Sequence, residues 1–329
     1  MIRVGIANQE TWSFFQEIYA DLTEHYKTTL FKRRSWKLPV FHARINQYLL
    51  QYDLKALMKA NDVVFFEWAS ELLAVATHLP KVCGIVTRLH RYEMYDWANH
   101  INWEPVDKII LVSQAKKREF IAKFPEQANK IVVCSPSTSL VKFKPQPKRF
   151  TGDIGILCHL TPRKRVYDLI LSFYELIQGK NHYHLHIAGG SEYADQDYYN
   201  ALLYIINELN LQNEVTLYGN VVETQDWYHK IDIFISNSYS EGLQVAPMEA
   251  MASGCYCLSH HWDGADELLP PENLFYTGSE LVEKILTYSN LSDSDQQTQK
   301  ERMRAIACEK FDIRKTSERI REIIDETAH

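Results

Sequence analysis

The sequence has no apolar run approaching the roughly 20 residues that cross a bilayer, and no Cys-x2-Cys spacing among its six cysteines. The first absence excludes a membrane-spanning helix. The second excludes the usual zinc and redox frameworks. Cys255 and Cys257, two apart, would share one face of a strand rather than bridge, so all six cysteines read as reduced thiols. Met1 passes straight into IRVGIA with no basic region followed by a long apolar one, so a cytoplasmic location is expected. There is no internal repeat. The one low-complexity stretch, the Ser/Asp/Gln-rich 289–299, reads as a solvated connector.

What is present is enough apolar material, 46% of 329 residues, for two domains that each bury a core. The net charge of -6 conceals a division, since residues 1–150 hold 22 Lys/Arg against 14 Asp/Glu (+8) and residues 151–329 hold 14 against 28 (-14). A basic half favours an anionic acceptor, a membrane surface or nucleic acid.

Short β-branched and aromatic runs alternate with stretches of helical period, the pattern of βαβ units and parallel sheets. Strands are expected at 2–7, 63–66, 82–86, 108–112 and 130–134, and again at 153–157, 183–187, 214–218, 231–236 and 255–259. Helices are expected at 166–178, 197–209 and 247–253, with a long amphipathic one at 314–326. Between the two series, Pro136, Pro145 and Pro147 interrupt any helix or central strand. The expected domains are therefore 1–147 and 148–311, with 312–329 a C-terminal helix that can pack back on the first. Two doubly wound Rossmann-like domains result, and in such sheets ligands bind beyond the carboxyl ends of the strands.

The most informative segment is DIFISNSYSEGLQVAPMEAMASG. An apolar strand ends in a Ser/Asn loop, and Pro247 is expected to open a helix whose free N–H groups suit an anion. Glu241 and Glu249 stand eight apart. A carboxylate such as Glu249 can accept two hydrogen bonds from a ribose diol, or it can simply complement the helix dipole. In CHLTPRKRVYDLI, Arg163 and Lys164 precede a helix, a poor place for cations unless an anion is bound there. Gly189 with Gly190 follow one strand, and Gly219 with Asn220 follow another, where glycine permits close approach of backbone to a ligand, although tight turns would look the same. In the first half, Glu67 follows VVFF, and Arg88 and His90 lie just beyond a strand.

EGLQVAPMEAMASG resembles the E-x7-E segment of retaining glycosyltransferases with the two-domain GT-B fold, family 4 of that classification. CHLTPRKRVYDLI is similar to that family's G-R-L-x3-K-G segment, and the order of elements agrees along nearly the whole chain. The resemblance implies two domains facing each other across a cleft, with acceptor bound by the first and nucleotide sugar by the second. It implies that Glu241 contacts sugar hydroxyls, that Gly242 and Leu243 offer backbone N–H groups to sugar and diphosphate, and that Glu249 holds the ribose. The Gly189–Gly190 and Gly219–Asn220 loops would lie against base and sugar. His90 would lie over the donor sugar, with Arg88 facing the phosphates and Glu67 on the acceptor side. Lys164 occupies the family's Lys position, with Arg163 beside it, and both would stabilise the diphosphate as it leaves. Two departures are plain: His159 stands where the family has Arg, and Arg165 where it has Gly.

Lys27, Lys32, Arg33, Arg34 and Lys37 crowd around Phe31 and Trp36, a possible basic patch with an aromatic anchor for an anionic lipid surface or lipid-linked acceptor; a solvated charged loop is the plainer reading. Asp195-Gln196-Asp197 and Asp293-Ser294-Asp295 have metal-binding spacing but read as a helix cap and part of the connector. No metal is expected. No cofactor is expected either, the nucleotide sugar being a substrate. His182, His184 and His186 alternate along a strand without an evident acidic partner. The expected function is transfer of a sugar from a nucleoside diphosphate to an acceptor hydroxyl of a glycan, glycolipid or lipid-linked molecule, with retention, in polysaccharide or glycolipid assembly. A nucleotide-sugar epimerase or hydrolase on the same fold is one alternative. A non-catalytic nucleotide-sugar or nucleic-acid binding module is another, although no nucleic-acid motif is recognisable.

Overall fold

The structure is a computed structural model describing residues 1–13, 15–36, 42–179, 182–190 and 196–328. In chain order the elements are β1 (Arg3–Ala7), α1 (Gln16–His25), β2 (Lys27–Leu30), α2 (His42–Ala60), β3 (Val63–Phe66), α3 (Glu71–Ala76), β4 (Gly84–Leu89), α4 (Arg91–Asp96), β5 (Lys108–Leu111), α5 (Gln114–Lys123) and β6 (Ile131–Val133). There follow β7 (Asp153–Leu157), α6 (Val166–Ile177), β8 (His184–Ala188), α7 (Gln196–Glu208), β9 (Val215–Gly219), α8 (Thr224–Tyr228), β10 (Ile233–Ser236), α9 (Val245–Ala252), β11 (Tyr256–His260), α10 (Ala265–Leu268), β12 (Leu274–Phe275), α11 (Gly278–Ser289), α12 (Asp293–Lys310) and α13 (Ile313–Ala328).

The chain divides into two compact units, Met1–Pro136 with Ile313–His329, and Ser137–Asp312. The first unit holds a parallel sheet in the order β2-β1-β3-β4-β5-β6. Strand β3, Val-Val-Phe-Phe, is buried along its whole length, as a central parallel strand covered on both faces must be. Phe66 packs on one face with Leu54 and Leu72. Phe65 packs on the other with Ile6 and with Ile320, Ile323 and Ile324 of α13, whose spacing of three and four puts them on one helical stripe. The second unit holds a parallel sheet in the order β12-β11-β10-β7-β8-β9.

Several expectations need correction. Strand β2 was not anticipated, because KTTL is a half-exposed edge strand with no apolar alternation to announce it. The two-residue β12 is too short to read. Residues 137–147 belong with the second unit: Phe143 is buried in its core, and Arg304 Nη1 donates to the Phe143 carbonyl at 2.7 Å. The supposed connector at 289–299 is mostly the first turns of α12, where Ser292 caps the helix by accepting from the Asp295 N–H at 3.1 Å. Asp293 and Asp295 are thus the acidic first turn of a helix. Asp195 lies outside the described residues. Helix α9 begins at Val245, so Pro247 is its third residue and Glu249 lies beyond the first turn.

Candidate functional site

In each sheet the chain order reverses once, between β7 and β10 in the second unit and between β1 and β3 in the first. Doubly wound sheets bind ligands beyond the strand ends at this point. In the second unit it is where the cationic loop after β7 meets the loop after β10. Glu241 Oε1 accepts from Lys164 Nζ at 2.7 Å and from Gln244 Nε2 at 2.6 Å, and also from Arg163 Nη1. Arg163 Nη1 further donates to the Ser240 carbonyl at 2.8 Å. Burial alone would raise the Glu241 pKa, but Lys164 and Arg163 outweigh it and hold the carboxyl at about 2. The ring of His159 is biased toward neutrality by burial and by the same two cations. With a neutral imidazole where the family has Arg, Arg163 and Lys164 are the cations of this loop that share Glu241.

Arg165 adopts a left-handed conformation, φ 51°, which suits the glycine the family has there and costs a side chain on the order of 1 kcal/mol. The loop holds it: the Arg165 N–H donates to the Pro162 carbonyl at 3.0 Å, and Asn237 Nδ2 donates to the Arg165 carbonyl at 2.9 Å. Gly242 and Leu243 are buried in the turn leading to α9. Glu249 Oε2 accepts from the Tyr228 hydroxyl at 2.9 Å. Burial and the neighbouring Glu249 keep that phenol protonated. Tyr228 and Gln244 escaped the sequence reading; Gln244 stands three residues after Glu241, but Tyr228 comes from α8 and carries no local signal.

Gly189 and Gly190 face their own chain. A Cβ at Gly189 would meet the Cys158 carbonyl, and one at Gly190 would meet the Asn220 side chain. Their lack of a side chain serves the packing of these loops against each other. Gly219 has φ +66° and faces open space.

The first unit gathers a different set. Glu67, directly after β3, is fully buried. Its Oε1 lies 3.1 Å from Arg88 Nη1 and 3.3 Å from His90 Nε2. Arg88 lies inside β4, not beyond it, is 1% exposed, and turns its guanidinium to Glu67 and not to solvent. Glu67, expected on the acceptor side, has no exposed side-chain surface and is paired with Arg88 and His90. His90 is the partly exposed member of the group, with 15% of its side chain open. Its ring lies 4.1 Å from that of Trp68, and burial lowers its pKa against the opposing pull of Glu67. Glu93, at the first turn of α4, is buried, and burial raises its pKa to about 8 and favours its neutral form.

The basic patch is also corrected. Phe31 is buried, and Lys27 belongs to β2. Arg33 pairs with Glu71 at 2.5 Å, and Arg34 Nε donates to Asp53 at 2.9 Å. Lys37 lies outside the described residues. Trp36, however, is 58% exposed. Its backbone is clamped by Asn46, which accepts from the Trp36 N–H at 2.8 Å and donates to its carbonyl at 3.2 Å. On α2, Ile45, Tyr48 and Tyr52 are exposed at helical spacing.

His186 does have an acidic partner, with Nε2 at 2.8 Å from Asp153 Oδ1. That contact lies at the start of β7, where Lys148 and Lys300 surround the buried Asp232, at the end of the sheet opposite the strand ends that carry Glu241. Among the described residues, no group of three or more His, Cys, Asp and Glu side chains is placed to share a metal ion. No described helix is long and apolar enough to cross a membrane.

Residues 151–289 match the family model described as glycosyl transferases group 1. The fold is GT-B: a crystal structure of Alr3699/HepE from Anabaena in complex with UDP and glucose superposes with a TM-score of 0.82, covering 99% of this chain and 100% of that one at 18% identity. A sucrose-phosphate synthase from Thermosynechococcus elongatus gives 0.80 at 13% identity, covering 99% of each chain. Among curated proteins, poly(ribitol-phosphate) alpha-N-acetylglucosaminyltransferase of Staphylococcus aureus is 26% identical over 155 residues, 46% of this chain and 29% of that protein. The match therefore spans well under half of that relative.

Proposed function

We propose that the chain is a glycosyltransferase that moves a sugar from a nucleoside diphosphate to an acceptor hydroxyl, with retention and without a metal. The observation that carries this reading is the meeting of Arg163, Lys164 and Glu241 at the β7/β10 reversal. Two cations at the entrance of α6 suit a diphosphate that gains charge as the C1–O bond to phosphate breaks, so they stabilise the transition state more than the bound substrate. Glu241 offsets their charge while leaving both close at hand. Glu249, oriented by Tyr228, would take the ribose diol. The acceptor hydroxyl forms the new bond to C1 on the face the diphosphate leaves, and its proton departs with the diphosphate. The acceptor belongs to the first unit in this reading, and the exposed Trp36, Ile45, Tyr48 and Tyr52 favour a glycolipid or lipid-linked molecule at an anionic membrane surface.

The test is a thermal-shift screen against uridine, guanosine and adenosine diphosphate sugars, followed by product analysis with the best of them. A ligand that binds the native state raises its melting temperature. A nucleotide sugar that raises it, and whose sugar appears on an added acceptor with its anomeric configuration kept, supports the reading. Release of free altered sugar in the absence of acceptor would instead identify an epimerase or hydrolase.

A further inference from the structure

We propose that Glu67 is a positioning residue that fixes His90 in one tautomer, so that Nδ1 is the working nitrogen and meets the ligand as a hydrogen-bond acceptor. This rests on the reading above for its substrate, a hydroxyl-bearing sugar, but not for its geometry. Glu67 Oε1 is shared by Arg88 Nη1 at 3.1 Å and His90 Nε2 at 3.3 Å. A carboxylate paired with a guanidinium is acceptor-only, so the nitrogen facing it must carry the hydrogen. Nδ1 of the neutral ring then holds a lone pair. The indole of Trp68, 4.1 Å away at 31°, forms a wall that resists rotation of the imidazole.

Burial keeps the ring neutral, and the charges around it do not reverse this. Glu67 and Arg88, both essentially unexposed, oppose one another in their effect on the ring, and burial favours the neutral form of Glu93. Burial disfavours the imidazolium. A neutral ring offering a lone pair suits a hydroxyl, which donates, and suits a phosphate poorly, because a phosphate brings only acceptors. The buried ion pair thus has a use that packing does not explain. Apolar side chains of similar volume would fill the same space without desolvating two charges.

The experiment compares the parent with the double variant Glu67→Met, Arg88→Met, in which neither partner is left as an uncompensated buried charge. With [15N]-histidine labelling of the full chain, the His90 signals are assigned by their loss in His90→Gln. The parent at pH 7 is expected to show a protonated Nε2 and an unprotonated Nδ1, and the double variant a mixture of tautomers. Turnover of the best donor in the double variant should fall about tenfold or more, while affinity for the free nucleoside diphosphate, which uses the second unit, stays unchanged. A protonated Nδ1 or an imidazolium in the parent overturns the proposal. So does a double variant that keeps both the tautomer and full turnover. Were the parent to turn over no nucleotide sugar, the functional reading would fail, and the tautomer would still decide whether Glu67 positions His90.

Discussion

Lys164 Nζ lies 2.7 Å from Glu241 Oε1, although 77 residues separate the two in sequence. The contact ties the loop after β7 to the loop after β10 and places both at the reversal of the sheet. It also makes Glu241 a counter-charge for two cations, which alters what its removal should do.

Replacing Glu241 with Gln leaves the buried Lys164 and the half-buried Arg163 without their counter-charge, and the expected cost is about 3 kcal/mol at pH 7. The sign follows from the depressed pKa. The ionised Glu241 contributes its full stabilisation above the ordinary value of 4.5 and loses it as pH falls through about 2. Melting curves of parent and Glu241→Gln should therefore converge on acidification below 4.5. A gap that stays constant down to pH 2.5 would show that the ion pairs contribute nothing. Affinity for nucleoside diphosphate should be kept or increased, since the two cations lose their internal partner.

Glu249→Ala should weaken binding of donor and of free nucleoside diphosphate alike, by roughly 1.5 to 3 kcal/mol if charge-assisted bonds to a ribose are lost. Tyr228→Phe removes only the hydrogen bond that orients the carboxylate, so its effect should be smaller and in the same direction. Calorimetric titration separates the two. Unchanged affinity in Glu249→Ala would remove that residue from the site.

Arg165→Gly should stabilise the protein by up to about 1 kcal/mol, because glycine adopts φ 51° without steric cost. The gain is partly offset by the greater freedom of glycine in the unfolded chain and by loss of the 3.6 Å pairing with Asp168. Thermal denaturation is the check, and a marked loss of stability would mean that the Arg165 side chain holds the loop.

Peripheral binding to anionic vesicles should depend on Trp36, Tyr48 and Tyr52 more than on Arg33 and Arg34, whose charges are met by Glu71 and Asp53. Sedimentation with phosphatidylserine vesicles at low salt should bring down the parent and the double variant Arg33→Gln, Arg34→Gln to similar extents. Trp36→Ser with Tyr48→Ser should remain in the supernatant. Equal behaviour of all three proteins in the supernatant would favour a soluble acceptor.

Much of the fold was legible because central parallel strands are rich in apolar residues: the continuous run 63–66 reads directly as β3, and 153–157, apolar but for its leading Asp153 and Gly155, as β7. The edge strand β2 was not, since Lys-Thr-Thr-Leu buries little. The connector reading of 289–299 failed because a Ser/Asp/Gln-rich helix start has the composition of a linker; the signal was Ser292 three residues before Asp295. At the site, Glu241, Glu249, Arg163 and Lys164 stood out by their positions at helix entrances and strand ends. The role of Arg88 did not, because its partner Glu67 lies 21 residues away, just past the end of the adjacent strand. A local pattern shows an arginine near a strand end. It cannot show that the end of the next strand supplies the carboxylate that draws it inside.

The central claim, that the β7/β10 reversal is a metal-free site for a nucleoside diphosphate, is tested most directly by calorimetric titration of the protein with UDP, GDP and ADP in the presence of EDTA. One of the three should bind with a dissociation constant in the micromolar range, about 8 kcal/mol, and Lys164→Ala should weaken that binding at least about tenfold by removing a charge-assisted contact. No binding in EDTA by any of the three, or equal binding by parent and Lys164→Ala, would contradict the account.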